Sequence, residues 1–295
     1  MNVMFLALDG KVYKYDLVSK ECLFEFNSAT SKHLSLFDKD NKLLMADQTH
    51  IKLWDFFSHR DEMPELVTML DTSAPIDCIK VNKCCEEHGP HRNVFYYVIT
   101  CGNEFQIYHG RLEPLLEGAT EDPEDKITCI EFGVRNEFLY FGTQKGRVLK
   151  YYLPSPQEVM NSYKVEEGEL PKGRLARTFT PDERTDYEYT VTLLFRVPGV
   201  EDQDLLVLNV RYSGLFIWNE AEDELNLIEC PQFKYLDVDK IRATPNGQFL
   251  VVGFPRVGQV AFFKVDFERS IATLLEPTIS VSSDECLTHM FADQL

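Results

Sequence analysis

Cys84, Cys85, His88 and His91 form the densest cluster of metal-ligating residue types in this chain of 295 residues. Zinc needs four ligands converging tetrahedrally, ordinarily as spaced pairs such as C-x2-C and H-x3–5-H. Adjacent cysteines point in different directions along an extended chain, and these histidines lie too close together for such a pair, so a solvated loop is the plainer account. Carboxylates are abundant but gathered within single loops: Glu121, Asp122, Glu124 and Asp125; then Glu201, Asp202 and Asp204; then Glu220, Glu222, Asp223 and Glu224. A glycosidase pair or a calcium site needs carboxylates converging from several elements. These groups are therefore expected either as solvated turns or as contacts for a basic peptide. The one basic knot, Lys172, Arg174 and Arg177, either pairs with acids near it or meets an acidic partner segment. The sequence has no G-x-S-x-G elbow, P-loop, dinucleotide G-x-G-x-x-G or H-E-x-x-H motif. No catalytic residue, metal or cofactor is expected.

The bulk properties narrow the partners. Apolar residues make up 44% and aromatics 12%, which suits a folded globular chain. With 48 acidic and 30 basic residues the net charge is −18, which repels phosphate backbones and anionic membranes. Direct nucleic-acid binding and membrane insertion are not expected, and neither is a small-molecule substrate. Proteins are, plausibly through basic or disordered peptide segments. No run approaches the ~20 apolar residues of a membrane span. The apolar start lacks the basic residues and cleavage site of a signal peptide. Eight cysteines without C-x-x-C pairing, several of them inside strand-like runs such as those around Cys78 and Cys129, fit reduced thiols in the cytoplasm or nucleus.

The elements that position all of these groups repeat. Six times a small or polar residue leads into a short β-rich run ending in an aromatic: Tyr15, Trp54, Tyr108, Tyr151, Trp218 and Phe263. Each run sits among others separated by Asp, Asn and Gly turns, the pattern of antiparallel meanders. Four strands to a unit make one propeller blade, and repeats of about 40–45 residues suit that unit. Two spacings are long, from Trp54 to Tyr108 and from Tyr151 to Trp218. They locate insertions at 83–92 and 154–188. The second begins Ser155-Pro156, which predicts a short helix with proline at its first position, and it holds a strand candidate near Leu175. Residues 1–27 provide three strands of a blade. Residues 286–291 resemble the innermost strand that this blade lacks, so a C-terminal strand is expected to close the ring and remove both sheet edges. The expectation is an all-β chain, one β-propeller over residues 1–295. Six four-stranded blades are counted, and a seventh is the alternative. The strand-end aromatics should fill the space between neighbouring blades.

The repeat resembles the WD-repeat (WD40-type) propeller family over nearly the whole chain. Trp54-Asp55 is the literal Trp-Asp pair, and Tyr15-Asp16 and Trp218-Asn219 are near versions; the remaining repeats end in Tyr108-His109, Tyr151-Tyr152 and Phe263-Lys264. The Gly-His pair that opens such repeats is missing, so the family's Asp–His–Ser–Trp hydrogen-bond tetrad is not expected. The W-D-x-R dock of some WD-repeat substrate receptors is also missing, because Phe57 stands in the arginine position. The resemblance implies an intracellular, noncatalytic scaffold or adaptor within a chromatin, trafficking, cytoskeletal or ciliary assembly. The alternative is a propeller enzyme of the metal-dependent lactonase or hydrolase type. The partner-facing candidates are the acids at 121–125 and 220–224 and the basic knot.

Overall fold

In the computed structural model the described residues are 3–8, 11–16, 18–27, 33–37, 42–55, 65–82, 94–162, 170–181, 189–200, 203–230, 238, 240–254 and 257–280. They form six antiparallel sheets, each a meander in chain order. Blade one is β1 (Val3–Leu8), β2 (Lys11–Asp16) and β3 (Cys22–Asn27). Blade two is β4 (His33–Phe37), β5 (Lys42–Ala46), β6 (His50–Asp55) and β7 (Glu65–Asp71). Blade three is β8 (Cys78–Val81), β9 (Tyr96–Cys101), β10 (Glu104–His109) and β11 (Glu113–Ala119). Blade four is β12 (Ile127–Phe132), β13 (Phe138–Thr143), β14 (Val148–Tyr152) and, after helix α1 (Pro156–Ser162), β15 (Arg174–Phe179). Blade five is β16 (Val191–Arg196), β17 (Leu205–Val210), β18 (Gly214–Asn219) and β19 (Glu224–Leu227). Blade six is β20 (Lys240–Ala243), β21 (Phe249–Phe254), β22 (Gln259–Asp266) and β23 (Ile271–Ser280).

These are the strands that the alternation predicts, and α1 starts at Pro156 as expected. The proposed closing strand at 286–291 and the insertion at 83–92 lie outside the described residues. By compactness the chain divides into Met1–Gly118 with Pro156–Lys172, and Ala119–Ser155 with Gly173–Leu295. In the first unit Leu44, Leu53, Tyr97 and Ile99 pack a core from blades two and three. There residues 171–172 lie along the outer strand of blade three: Glu117 bridges Lys172 in parallel, and Glu117 N donates to Pro171 O at 3.0 Å.

In the second unit the inner strands of blades four and five approach closely because Gly142 has no side chain. A Cβ there would meet Cys129 Sγ at 2.5 Å and Val191 Cγ1 at 2.7 Å. Thr128 Oγ1 lies 2.5 Å from Val191 O and ties the two strands together. Blades five and six share a continuous apolar core through Val207, Ile217, Val252, Ala261 and Phe263, all fully buried. Burial at about 25 cal/mol per Å² makes such inter-sheet cores the dominant favourable term in this fold. Their two β-turns also interlock. Gly199 and Gly247 take positive φ (86° and 68°), and a Cβ on Gly247 would meet Pro198 O at 1.8 Å. Glycine is required there on both counts.

Candidate interaction surface

The acidic turn at 121–125 splits into two roles. Asp125 is fully buried. Its Oδ1 accepts from Lys145 N at 2.7 Å, and its Oδ2 accepts from Arg147 Nε at 3.0 Å and faces Arg147 Nη2 at 2.9 Å. Asp122 accepts from Lys145 Nζ at 2.5 Å and from Glu124 N at 3.0 Å, and the Lys145 hydrogen bond holds its carboxyl below the usual range. These two aspartates fasten the strand entry of blade four to its own β13–β14 turn. Glu121 and Glu124 stay exposed.

The second acidic turn meets the basic knot. Arg177 Nη2 donates to Asp223 Oδ1 at 2.5 Å, and Arg177 Nη1 lies 3.9 Å from Glu220 Oε1. Lys150, nearly buried in the middle of β14, reaches the same Glu220 oxygen at 2.8 Å and sits 3.9 Å above the Phe138 ring. Burial strengthens the attraction within such pairs but costs each ion its hydration, so the consequence to expect is that removing one partner leaves the other buried and uncompensated. Arg174 lies over the Tyr152 ring across the β14–β15 pair, and Lys172 pairs with Glu117 in the first unit. Glu222 and Glu224 remain exposed, Glu222 close to Asn219 Nδ2 at 3.4 Å. The alternative of internal pairing, open at the sequence level, is therefore the geometry found at Arg177 and Lys172.

Tyr140, which spacing does not single out, and Asp204 complete this junction; Asp204, expected in a solvated turn or as a peptide contact, is instead buried and held by two hydrogen bonds. Tyr140 OH donates to Asp204 Oδ2 at 2.6 Å, and Val134 N donates to Asp204 Oδ1 at 2.6 Å. Both side chains are buried. Burial pushes the Asp204 carboxyl above its ordinary pKa, partly offset by these hydrogen bonds, and burial beside Asp204 pushes the Tyr140 hydroxyl up as well. A polar residue inside an apolar strand, as at Lys150 and Tyr140, was the available signal.

Strand direction separates the two acidic turns. Turn 121–125 lies beside the β13–β14 turn, where Gln144 N donates to Lys126 O, Thr190 Oγ1 donates to Gln144 O, and Arg211 N donates to Thr190 O. Turn 220–223 lies at the other end of the strands, where Glu220 N donates to Asp204 O. The candidate partner residues of this unit thus occupy opposite ends of the blades and form no common patch.

The strand-end aromatics are frame residues by position. Tyr108, Tyr151, Trp218 and Phe263 are buried, and Tyr15 and Trp54 are half-buried. Trp218 of blade five stacks on Phe179 of blade four at 4.2 Å and meets the Tyr140 ring edge-on at 6.1 Å. Its indole N–H is buried and finds no acceptor among the described residues. Tyr151 OH donates to Ala119 O at 2.8 Å, and burial pushes the Tyr108 hydroxyl up to about 12. Among the described residues no three His, Cys, Asp or Glu side chains are grouped as a metal site requires, and no helix is long and apolar enough to cross a membrane. The Cys84–His91 cluster lies outside the described residues.

No protein-family model matches the sequence, and no curated protein does either. Solved structures match over almost the whole chain. A chain of the mitotic checkpoint complex superposes with a TM-score of 0.65 at 13% identity, covering 96% of this chain and 76% of that one. The Swd1 β-propeller domain of Myceliophteria thermophila Cps50 gives 0.62 at 14%, covering 95% and 82%. Kuenenia stuttgartiensis hydrazine synthase gives 0.63 at 10%, covering 95% and 84%. At these identities the likeness establishes the fold: the chain is a β-propeller of antiparallel, meander-type blades.

Proposed function

We propose that the chain is a noncatalytic interaction propeller of the WD40 type, one propeller over residues 1–295 that serves as a subunit or module of a larger intracellular assembly. The observation that carries this reading is the fold, which is shared with the Swd1 propeller and with a chain of the mitotic checkpoint complex. The pairing of the polar candidates supports it. Asp125, Lys150, Arg177, Glu220 and Asp204 hold strands and blades to one another, so they act as scaffold. Loops on such a fixed frame carry specificity. Glu121 and Glu124 at one end and Glu222 and Glu224 at the other are exposed acidic groups that can meet basic peptide segments. The type of assembly, whether chromatin, trafficking, cytoskeletal or ciliary, is decided by the partner.

Crosslinking of the tagged chain in cells, followed by mass spectrometry and native mass measurement, tests the reading. Stoichiometric co-purification of at least one protein is expected. A monomer that crosslinks to nothing reproducible would overturn it. The likeness to hydrazine synthase keeps an enzymatic reading in play. Metal analysis discriminates, since a lactonase-type propeller retains a stoichiometric divalent ion.

A further inference from the structure

We propose that one end of blades five and six, opposite the end where these blades are laced together, docks an apolar partner segment flanked by basic residues. The proposal deepens the interaction reading above and rests on it.

Among the described residues of the second unit the exposed large apolar side chains are Tyr212, Leu227, Val257 and Ile279, at 58%, 48%, 44% and 52% exposure. All four sit at the same end of the strands. Tyr212 is in the β17–β18 turn, and Val257 is in the β21–β22 turn. Leu227 ends β19 opposite Phe216, near the start of β18. Ile279 stands opposite Val260, at the start of β22. The opposite end is closed by polar contacts, since Asn219 Nδ2 donates to Ser270 Oγ at 3.1 Å and the 198–199 and 245–247 turns interlock; Asn226, opposite Ile217 in mid-strand and next to Leu227, also donates its Nδ2 to Ser270 O at 3.1 Å. Exposed apolar groups on one end of a rigid scaffold are surface from which a partner can remove water.

Backbone strain points the same way. Tyr212 holds φ at 61°, a left-handed conformation that a bulky aromatic rarely adopts. Such a residue, strained and solvent-exposed, adds nothing to the core, and strain of this kind clusters at binding sites. The charges choose the occupant. Glu229 follows Leu227 closely and Glu276 precedes Ile279 on the same strand, both exposed, and the chain carries −18 overall. A second copy of this chain would be repelled, whereas Lys or Arg flanking an apolar stretch would be attracted. Docking by side chains is favoured over edge pairing. β23 contains Pro277, which offers no N–H, and its register with β22 is broken between Val260 and Phe262.

The test uses short fluorescent peptides: one amphipathic Leu/Lys peptide, one Leu/Glu and one Ser/Lys. Binding to the full chain is read by anisotropy, with hydrogen exchange to locate it. The Leu/Lys peptide should bind and protect 211–213, 227–229, 257–260 and 276–280. Tyr212→Ser with Ile279→Ser should weaken it about tenfold or more, roughly 1.4 kcal/mol. Glu268→Lys, in the exposed β22–β23 turn at the other end, should change it by less than about twofold. Where the double Ser variant melts early, Tyr212→Ser alone, in an exposed turn, carries the comparison. Equal binding by the Ser/Lys peptide, protection elsewhere, or an unaffected Ser variant overturns the proposal, as does self-association that depends on these residues. If partners crosslinked in cells stay bound to the Ser variant, this surface fails while the interaction reading stands.

Discussion

Tyr140→Phe isolates a single hydrogen bond between blades four and five. The ring stays, so its edge-on contact with Trp218 at 6.1 Å persists and no cavity opens. What is lost is the 2.6 Å bond to Asp204 Oδ2, which leaves a buried carboxylate with Val134 N as its remaining donor among the described residues. A hydrogen bond to a charged group contributes about 1.5–3 kcal/mol, so a loss of about 2 kcal/mol is expected near neutral pH. At roughly 2–4 °C per kcal/mol for large domains, the melting temperature should fall by several degrees. The pH dependence sharpens the test. Burial raises the folded pKa of Asp204 above its unfolded value. Its favourable contribution is therefore complete below the unfolded pKa and is lost as pH rises through the folded one. Removing the Tyr140 donor raises the folded pKa further, so the variant should fall furthest behind at neutral pH and catch up on acidification. Asp204→Asn, which keeps an oxygen for Val134 N, should flatten this dependence. Thermal melts followed by tryptophan fluorescence at several pH values would read the gap. A gap that is absent at neutral pH, or that widens toward acid, would refute the reasoning.

Three further outcomes are expected. Gly247→Ala should destabilise by more than Gly102→Ala: both glycines have positive φ, but only Gly247 places a Cβ against backbone, at 1.8 Å from Pro198 O, while Gly102 has open space. The Gly102 change should cost about 1 kcal/mol, and equal losses by denaturant titration would mean the 198–199 and 245–247 turns do not interlock. Lys150→Met should cost about 1–3 kcal/mol, because Glu220, mostly buried, then keeps only Arg177 at 3.9 Å. Adding Glu220→Gln should recover part of that loss, and additive losses in the double-mutant cycle would remove the pair from the account. Deleting 281–295 should lower the melting temperature sharply if 286–291 supplies the fourth strand of blade one, and an unchanged melt would sink ring closure.

The strands were legible because each carries its own signal. In β2 alternate residues are buried, and in β6 Ile51 and Leu53 are buried while Lys52 is not. β15 was readable after a long insertion for the same reason, and α1 because Pro156 supplies a pre-set φ at a helix start. Side-chain partnerships carry no such signal. Arg177 and Asp223 are 46 residues apart and Tyr140 and Asp204 are 64 apart, and neither pair is implied by spacing within one blade. The acidic turns looked alike in sequence, yet Asp125 is fully buried while Glu121 and Glu124 are exposed. The difference lies in Lys145 and Arg147 arriving from the next turn.

Trp218 makes the physical reason concrete. A family tetrad would hand its indole N–H to a hydroxyl on a neighbouring strand, and the residue opposite is Leu206. The N–H is left without an acceptor among the described residues, a cost of about 1–3 kcal/mol for a buried donor. The ring offsets this through its stack on Phe179 and its contact with Tyr140, both from the preceding blade. Aromatic and ionic contacts therefore join blades four and five here. Arg177, Lys150, Glu220 and Asp204 gather around that aromatic seam. The conspicuous charges are thereby part of the frame. The docking surface proposed above uses residues that carry no such signal in sequence, an exposed tyrosine in a turn and three exposed aliphatic side chains.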